Sequence, residues 1–248
     1  MCGRYALSAS QDELMEAFEI STDYAGPILP ADWNITPTRE IYIVRDNPQS
    51  QRELTTVSWG LIAPWAKSAE EALRSQSQAI NARTETVDQK PTFQSAFRSR
   101  RCLIPANGYY EWATELGPYP TKQPFYIHGE KNQGNAVGEG LIAFAGIWDR
   151  WRSPDGTIKE SAAIITRPAV EFLATVHHRM PTFLPRDRWD AWLDPALTGV
   201  DEIRGLMELR EPAVGLSAHP VSPRVNSTAN NGSELTLPID LGEPQTLF

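Results

Sequence analysis

The residues that could do chemistry begin at the second position. Cys2 follows Met1 directly in Met1-Cys2-Gly3-Arg4-Tyr5-Ala6. Cysteine is small enough for an aminopeptidase to remove the Met ahead of it. The chain would then start with an α-amine and a thiol on one residue, a 1,2-aminothiol. An α-amine has a reference pKa of about 7.7–8.0, so a useful fraction is neutral and nucleophilic near neutrality. Position alone fits an accident of the start codon equally well. Three other stretches hold groups that could serve such a nucleophile. Ala79-Ile80-Asn81-Ala82-Arg83-Thr84-Glu85 puts an amide, a guanidinium and a carboxylate on alternate positions, on one face if the segment is extended. Gly108-Tyr109-Tyr110-Glu111-Trp112 sets a carboxylate among aromatics, an environment that raises its pKa toward acid–base use. A Glu on an ordinary solvated strand is the competing reading. Val176-His177-His178-Arg179-Met180-Pro181 places an imidazole beside a cation, as a proton shuttle or as a satisfied polar residue at an element end.

Two tryptophans flank a Gly and a Pro in Trp59-Gly60-Leu61-Ile62-Ala63-Pro64-Trp65. Trp59 reads as core. Trp65, beyond the Pro and near Lys67, reads as a platform on which a base can stack. The second cysteine, Cys102, lies in the apolar run Cys102-Leu103-Ile104 and reads as a core residue.

Charge and composition limit the classes. The chain has 248 residues, a net charge of −8, 41% hydrophobic and 22% charged residues, typical of a globular protein. Asp12, Glu13, Glu16, Glu19 and Asp23 contribute −5 with no basic residue among them; Glu234, Asp240 and Glu243 contribute −3. These two segments equal the whole imbalance, so the rest of the chain is neutral. Between Asn81 and Trp112 lie Arg83, Lys90, Arg98, Arg100 and Arg101 against Glu85, Asp88 and Glu111, an excess able to hold phosphates. No apolar run approaches the ~18 residues of a membrane span, and no signal-peptide pattern opens the chain. Two distant cysteines and four histidines give neither a disulfide framework nor a metal-ligand spacing, so no metal and no cofactor is expected, and a reducing cytoplasm is.

The elements that must position these groups are mostly strands. Ser10-Gln11-Asp12-Glu13 forms a capping box ahead of a helix with Leu14, Ala17 and Phe18 on one face. A Pro-rich crossing follows through Pro27, Pro30 and Pro37. Strands are predicted at Ile41–Arg45, Thr55–Leu61, Arg101–Ile104, Gly108–Trp112, Pro124–His128, Leu141–Trp148 and Ser161–Thr166. Asn107-Gly108 and Ser153-Pro154-Asp155-Gly156 read as turns. Phe93 and Phe97 mark a short helix, and Arg186–Leu193 and Val200–Leu209 two more. The expectation is one mixed α+β domain over residues 1–226 and a polar C-terminal tail over 227–248, on the surface or partly disordered.

Six segments, in order, resemble the SOS response-associated peptidase family: Cys2-Gly3-Arg4-Tyr5, Asn34-Ile35-Thr36-Pro37-Thr38, the block from Trp59 to Trp65, Ile80-Asn81-Ala82-Arg83-Thr84-Glu85, the block from Arg101 to Trp112, and His177-His178-Arg179-Met180-Pro181. The resemblance spans the chain to about Val225. It implies a single α+β domain built around a curved, barrel-like antiparallel sheet with peripheral helices. It implies recognition of abasic sites in single-stranded DNA and a covalent DNA–protein cross-link through Cys2, the amine and thiol closing with the sugar aldehyde to a thiazolidine. It further implies thiol (auto)peptidase activity and a lyase activity. By matching motif, Cys2 is the nucleophile and Asn81 bonds near the amino terminus and the sugar oxygen. Glu111 relays protons, and His177 helps open the sugar ring by protonating its oxygen. Arg4 and Arg83 hold phosphates, while Trp65 and Trp112 line the DNA. The family pattern has one His where this chain has His177-His178, and spacing to Arg179 assigns the role to His177. The expected partner is abasic single-stranded DNA, bound by a monomer in the cytoplasm and at the nucleoid on damage, with no membrane. Two other classes fit parts of the pattern. An N-terminal-nucleophile glutamine amidotransferase would use Asn107-Gly108 as its oxyanion hole. A non-covalent single-strand binding module would leave Cys2 idle.

Overall fold

The first helix forms where its cap predicts. In the computed structural model, Ser10 Oγ accepts the Glu13 amide while the Glu13 carboxylate accepts the Ser10 amide, and α1 (Gln11–Ala17) buries Leu14. Residues 2–21, 26–114, 119–131, 136–137 and 140–241 are described. Met1, Asp23, Glu243 and the tail beyond residue 241 lie outside them.

The strands are β1 (Tyr5–Leu7), β2 (Asp32–Ile35), β3 (Glu40–Asp46), β4 (Arg52–Trp59), β5 (Asn81–Arg83), β6 (Arg101–Ala106) and β7 (Gly108–Trp112). After these come β8 (Pro124–Gly129), β9 (Ala136–Val137), β10 (Leu141–Arg152), β11 (Ile158–Pro168), β12 (Arg179–Pro181) and β13 (Leu216–Pro220). The other helices are α2 (Ala69–Gln78), α3 (Pro91–Ser99), α4 (Trp189–Leu193) and α5 (Val200–Met207).

Five strands close on themselves. β11 pairs with β4, β4 with β3, β3 with β6, β6 with β10, and β10 returns to β11. The expected barrel-like sheet is therefore present, with one difference: β11 runs parallel to both β4 and β5. A second sheet, in the order β13-β8-β7-β1-β2, lies against it. Every residue of β6 is buried, as is β10 from Leu141 to Ile147, so these strands form the inner wall. Tyr5 of β1 and Tyr109 of β7 meet Phe144 of β10 edge-on, at 6.1 and 6.0 Å between ring centres. That aromatic contact joins the two sheets. It sets Cys2, three places before β1, and the far end of β7 at the same seam.

Asn107-Gly108 is the corner where the chain passes from one sheet to the other. Asn107 Oδ1 accepts from the Ser8 amide at 2.7 Å, and the Asn107 amide donates to Ala6. A Cβ on Gly108 would sit 2.5 Å from the Tyr126 ring and 2.6 Å from the Ile127 carbonyl, so only glycine fits. The sequence reading omits α2, because its run Ala-Glu-Glu-Ala-Leu-Arg-Ser-Gln-Ser-Gln buries only Ala72 and Gln76.

Residues 227–241, expected as a polar tail, run back over β2. Asn34 Nδ2 donates to the carbonyls of Ser227 (3.0 Å) and Asn230 (2.7 Å), Trp33 N donates to Asn231, and Leu235 is fully buried.

Candidate functional site

Four groups meet at the seam. Cys2 is fully buried, and Asn81 Nδ2 donates to its carbonyl at 2.8 Å. Asn81 reaches it because β5 lies along β11, with Asn81 opposite Ile164. The other amide atom, Oδ1, is buried without a hydrogen-bond partner among the described residues. A buried acceptor left open costs about 1–3 kcal/mol, so this oxygen is poised for an N–H or O–H donor. Burial pushes the Cys2 thiol well up, so it is a neutral thiol and needs a base to react.

Glu111 supplies a candidate base. It is 4% exposed on β7, and desolvation raises its carboxyl from 4.5 to about 7. Such a group gives and takes protons near neutrality. His177 Nδ1 lies 3.9 Å from Glu111 Oε1, too far for a direct hydrogen bond. One water could bridge that gap.

His177 moves the other way. Burial lowers it from 6.5 to about 4, so at neutral pH the ring is uncharged. Its Nδ1 is 3.0 Å from the Arg179 amide nitrogen and 3.2 Å from the Arg179 carbonyl. The two contacts demand opposite tautomers. A backbone N–H can only donate, and an orphaned one is rarer and costlier than an under-satisfied carbonyl. Nδ1 therefore accepts, and the ring proton sits on Nε2. A neutral ring in this tautomer presents Nε2–H as a hydrogen-bond donor.

The remaining candidates separate. β5 ends at Arg83, so Asn81 and Arg83 share a face, but Glu85 lies beyond the strand in a turn and pairs with Arg179. Arg83 is exposed and forms no ion pair with a described residue. Trp65 is 54% exposed, in a loop whose start is stitched to the residues before Asn81 by Leu61 N to Ala79 O and Trp59 Nε1 to Ile80 O. Trp59 and Cys102 are fully buried, as their surroundings in sequence suggest. Trp112 is half-buried and donates Nε1–H to Asn226 at 2.7 Å. Arg4, expected at a phosphate, donates through one nitrogen to Asn34 Oδ1 (2.6 Å) and Val225 O (2.7 Å). Its guanidinium also lies 5.8 Å from the Trp112 ring. This arginine holds the chain end to β2 and to residue 225.

The basic cluster expected between residues 81 and 112 is not one surface. Arg101 is 2% exposed and donates to the carbonyls of Phe97, Arg98, Trp192 and Asp194, closing the ends of α3 and α4. Arg100 pairs with Asp149. Arg83, Lys90 and Arg98 remain exposed. Counting charges cannot separate an arginine that caps helices from one that faces solvent.

Sequence reasoning misses Asn34 and Asn226 as organisers of this face, since their partners lie 30 to 196 residues away. Asn107-Gly108, read in the sequence as a turn and in the amidotransferase alternative as an oxyanion hole, is a tight corner. In the fold, the Asn107 backbone amide donates to Ala6 and its side-chain oxygen accepts from Ser8, so the pair serves as the corner between the two sheets. The described residues contain no group of three or more His, Cys, Asp or Glu able to hold a metal, and no helix long and apolar enough to cross a membrane.

Comparison with known proteins gives a family and a fold. A family model described as SOS response associated peptidase (SRAP) matches residues 1–228. The chain is 34% identical over 235 residues to the abasic site processing protein YoqW of Bacillus subtilis, covering 95% of this chain and 98% of that one. It is 33% identical over 218 residues to the abasic site processing protein HMCES of Gallus gallus, covering 82% of this chain and 63% of that longer one. A crystal structure of a Bacteroides thetaiotaomicron protein superposes with a TM-score of 0.80 at 24% identity, covering 96% of this chain and all of the other. That likeness concerns the fold.

Proposed function

The chain belongs to the SOS response-associated peptidase family, and from that premise we propose that it captures abasic sites in single-stranded DNA by a covalent bond to Cys2. The observation that carries the reading is the meeting of Cys2, held through its carbonyl by Asn81, with a buried carboxyl near pKa 7 and a neutral imidazole. Once Met1 is removed, Cys2 offers an amine and a thiol on adjacent carbons.

The steps balance without a cofactor. An abasic deoxyribose opens to an aldehyde when its ring oxygen gains a proton and its anomeric hydroxyl loses one. Glu111 exchanges these protons, and His177 Nε2–H donates a hydrogen bond toward the ring oxygen. The amine adds to the aldehyde carbon, and protonated Glu111 helps expel water to leave an imine. The thiol then adds to the imine carbon, its proton passing to the nitrogen. Aldehyde, amine and thiol become a thiazolidine and one water. Holding thiol and imine on one residue makes the last step intramolecular, which is worth orders of magnitude in rate. Asn81 Oδ1 would accept from the amine or from a sugar hydroxyl.

Arg83 and the exposed Trp65 would hold the strand, a phosphate and a base respectively. Arg4 and Trp112 would shape the face from its other side. The unit doing this is residues 1–226, acting as a monomer in a reducing cytoplasm. A peptide left ahead of Cys2 would turn the amine into an amide, and the same groups would be placed to cleave it. Abstraction of a C2′ proton from the imine by Glu111, with the C3′–O bond breaking and the 3′-phosphate leaving, would make the site a lyase.

The test is a denaturing gel with matched abasic and intact single strands. A retarded band with the abasic strand alone is expected. A version carrying uncleaved residues ahead of Cys2 should bind the intact strand and give no band. A full band from a verified intact extension would point to a side-chain nucleophile elsewhere.

A further inference from the structure

Arg179 is 7% exposed and has two jobs in the fold. Its guanidinium forms a two-point ion pair with Glu85, through NH1 to Oε1 and through NH2 to Oε2 at 3.0 Å. NH2 also donates to the Thr166 carbonyl at 2.7 Å, a carbonyl that accepts the Thr84 amide too. Its backbone N–H, at the start of β12, donates to His177 Nδ1 at 3.0 Å. One residue thus fastens the exit of β5, which carries Asn81 and Arg83, to the segment carrying His177, across β11. Neither Glu85 nor the Arg179 guanidinium has a part in the chemistry proposed above.

We infer that the Glu85–Arg179 pair is a positioning clamp that holds the His177 ring in its Nε2–H tautomer and at a fixed place relative to Asn81. Arg179 is too buried to swing to another partner, and a two-point guanidinium–carboxylate pair fixes direction as well as distance. Among the described residues, those shown against His177 are Glu111 from β7, and His178 and Arg179 from its own segment; the His178 ring stacks at 4.3 Å. None of these replaces the Arg179 amide as a donor to Nδ1: Glu111 is too distant at 3.9 Å, and His178 offers a ring face. Loosening the clamp lets Nδ1 exchange its partner for water. The Nδ1–H form and the imidazolium then become populated.

The inference rests on the proposed cross-linking only for its kinetic part. Its structural part is read without DNA, by ¹⁵N NMR of the imidazole rings in the full chain. Glu85 is about half exposed, so Glu85→Ala and Glu85→Gln should stay folded, as thermal melting would verify. The parent should show His177 as the neutral Nε2–H tautomer at pH 7. Glu85→Ala should shift it toward a tautomer mixture and raise its titration midpoint, with Glu85→Gln, which keeps an acceptor for Arg179, lying between. With saturating abasic DNA, Glu85→Ala should slow cross-linking on the order of 10- to 100-fold, the range that misplacement of a reacting group causes, while half-saturation on an intact strand stays constant. An unchanged ring spectrum in a folded Glu85→Ala would overturn the clamp, whatever the rate does. Weaker intact-strand binding with an unchanged maximal rate would overturn it differently, by showing that the pair serves DNA contact. Unchanged spectra beside a parent that never cross-links would remove both this inference and the function it serves, whereas a shifted spectrum in that case would remove only the function.

Discussion

Cys2 and Cys102 are alike in every property that a list of cysteines records. Both are free, both are fully buried, and burial pushes both thiols well up. Their neighbourhoods differ. Cys102 sits on the inner wall of the barrel, where its sulfur packs where Gly146 leaves room, beside the Ile104 side chain, and its carbonyl takes the Trp192 indole N–H. Cys2 sits at the seam with Asn81 on its carbonyl, and with Glu111 and His177 following behind. Reactivity therefore cannot be read from exposure or thiol acidity here. On the proposed function it comes from the set of Asn81, Glu111 and His177 that the fold gathers around one cysteine and not around the other.

Exchanging the two cysteines in turn is the strongest way to break this contrast. Cys2→Ala should abolish the covalent product on abasic single strands, and Cys102→Ala should leave it intact on the same gel. Cys102→Ser should instead cost stability, about 1–3 kcal/mol for a buried hydroxyl without a partner, seen as a lower urea midpoint. Loss of the product in a folded Cys102 variant would erase the distinction.

Removing the polar neighbours should make the Cys2 site resemble the Cys102 site. Glu111→Gln should slow cross-linking by roughly 10²–10⁴, the usual worth of a positioned acid–base group, with intact-strand binding preserved. Equal loss of binding would mean that Glu111 shapes the DNA face.

The same two groups should appear in stability against pH, with opposite signs. Glu111 is raised from 4.5 to about 7, so between those values the folded state keeps a proton that the unfolded chain has lost. Stability from this group falls as pH rises through that window, by at most about 3 kcal/mol. His177 is lowered from 6.5 to about 4, so there the unfolded chain holds the extra proton, and stability rises with pH. The slopes oppose between pH 4.5 and 6.5. Denaturant midpoints of Glu111→Gln should therefore rise with pH across that range, and those of His177→Gln should fall. Parallel profiles for the two variants would contradict the assignment. Such opposed costs are a common mark of sites kept for function rather than stability.

The smallest expected effect concerns Arg83. Arg83→Glu should weaken binding to intact single strands and reduce the slope of log affinity against log salt by about one. Arg101, equally cationic in sequence, is committed to four carbonyls, so its replacement should unfold the protein rather than change that slope.

Local patterns carried much of this into view. The capping box at Ser10, the strand Gly108–Trp112 and the aromatic neighbours of Glu111 are short-range signals, and the fold realises each of them. The six family segments pointed to the barrel-like sheet and to the four residues that meet at the seam. What stayed hidden depends on contacts between distant stretches. The parallel run of β5 along β11 gives Asn81 its reach, and nothing local to Asn81-Ala82-Arg83 names that distant partner strand. Arg101 adds to the basic count of its segment, and only its four carbonyl partners, two of them 91 and 93 residues along the chain, show that it is not a surface charge. The return of residues 227–241 over β2 hangs on Asn34 and Leu235, and nothing in a stretch rich in Ser, Asn, Gly and Pro announces it.

The most direct test counts thiols. The chain contains two cysteines, so the free protein, once denatured, should take up two equivalents of an alkylating reagent. The adduct with abasic DNA should weigh the sum of its parts less one water, resist borohydride, and take up a single equivalent, mapped by peptide mass spectrometry to Cys102. An imine alone would have the same mass but would be reduced by borohydride and leave both sulfurs open. Two alkylated cysteines in a stable adduct, or a DNA remnant on any residue but Cys2, would contradict the account.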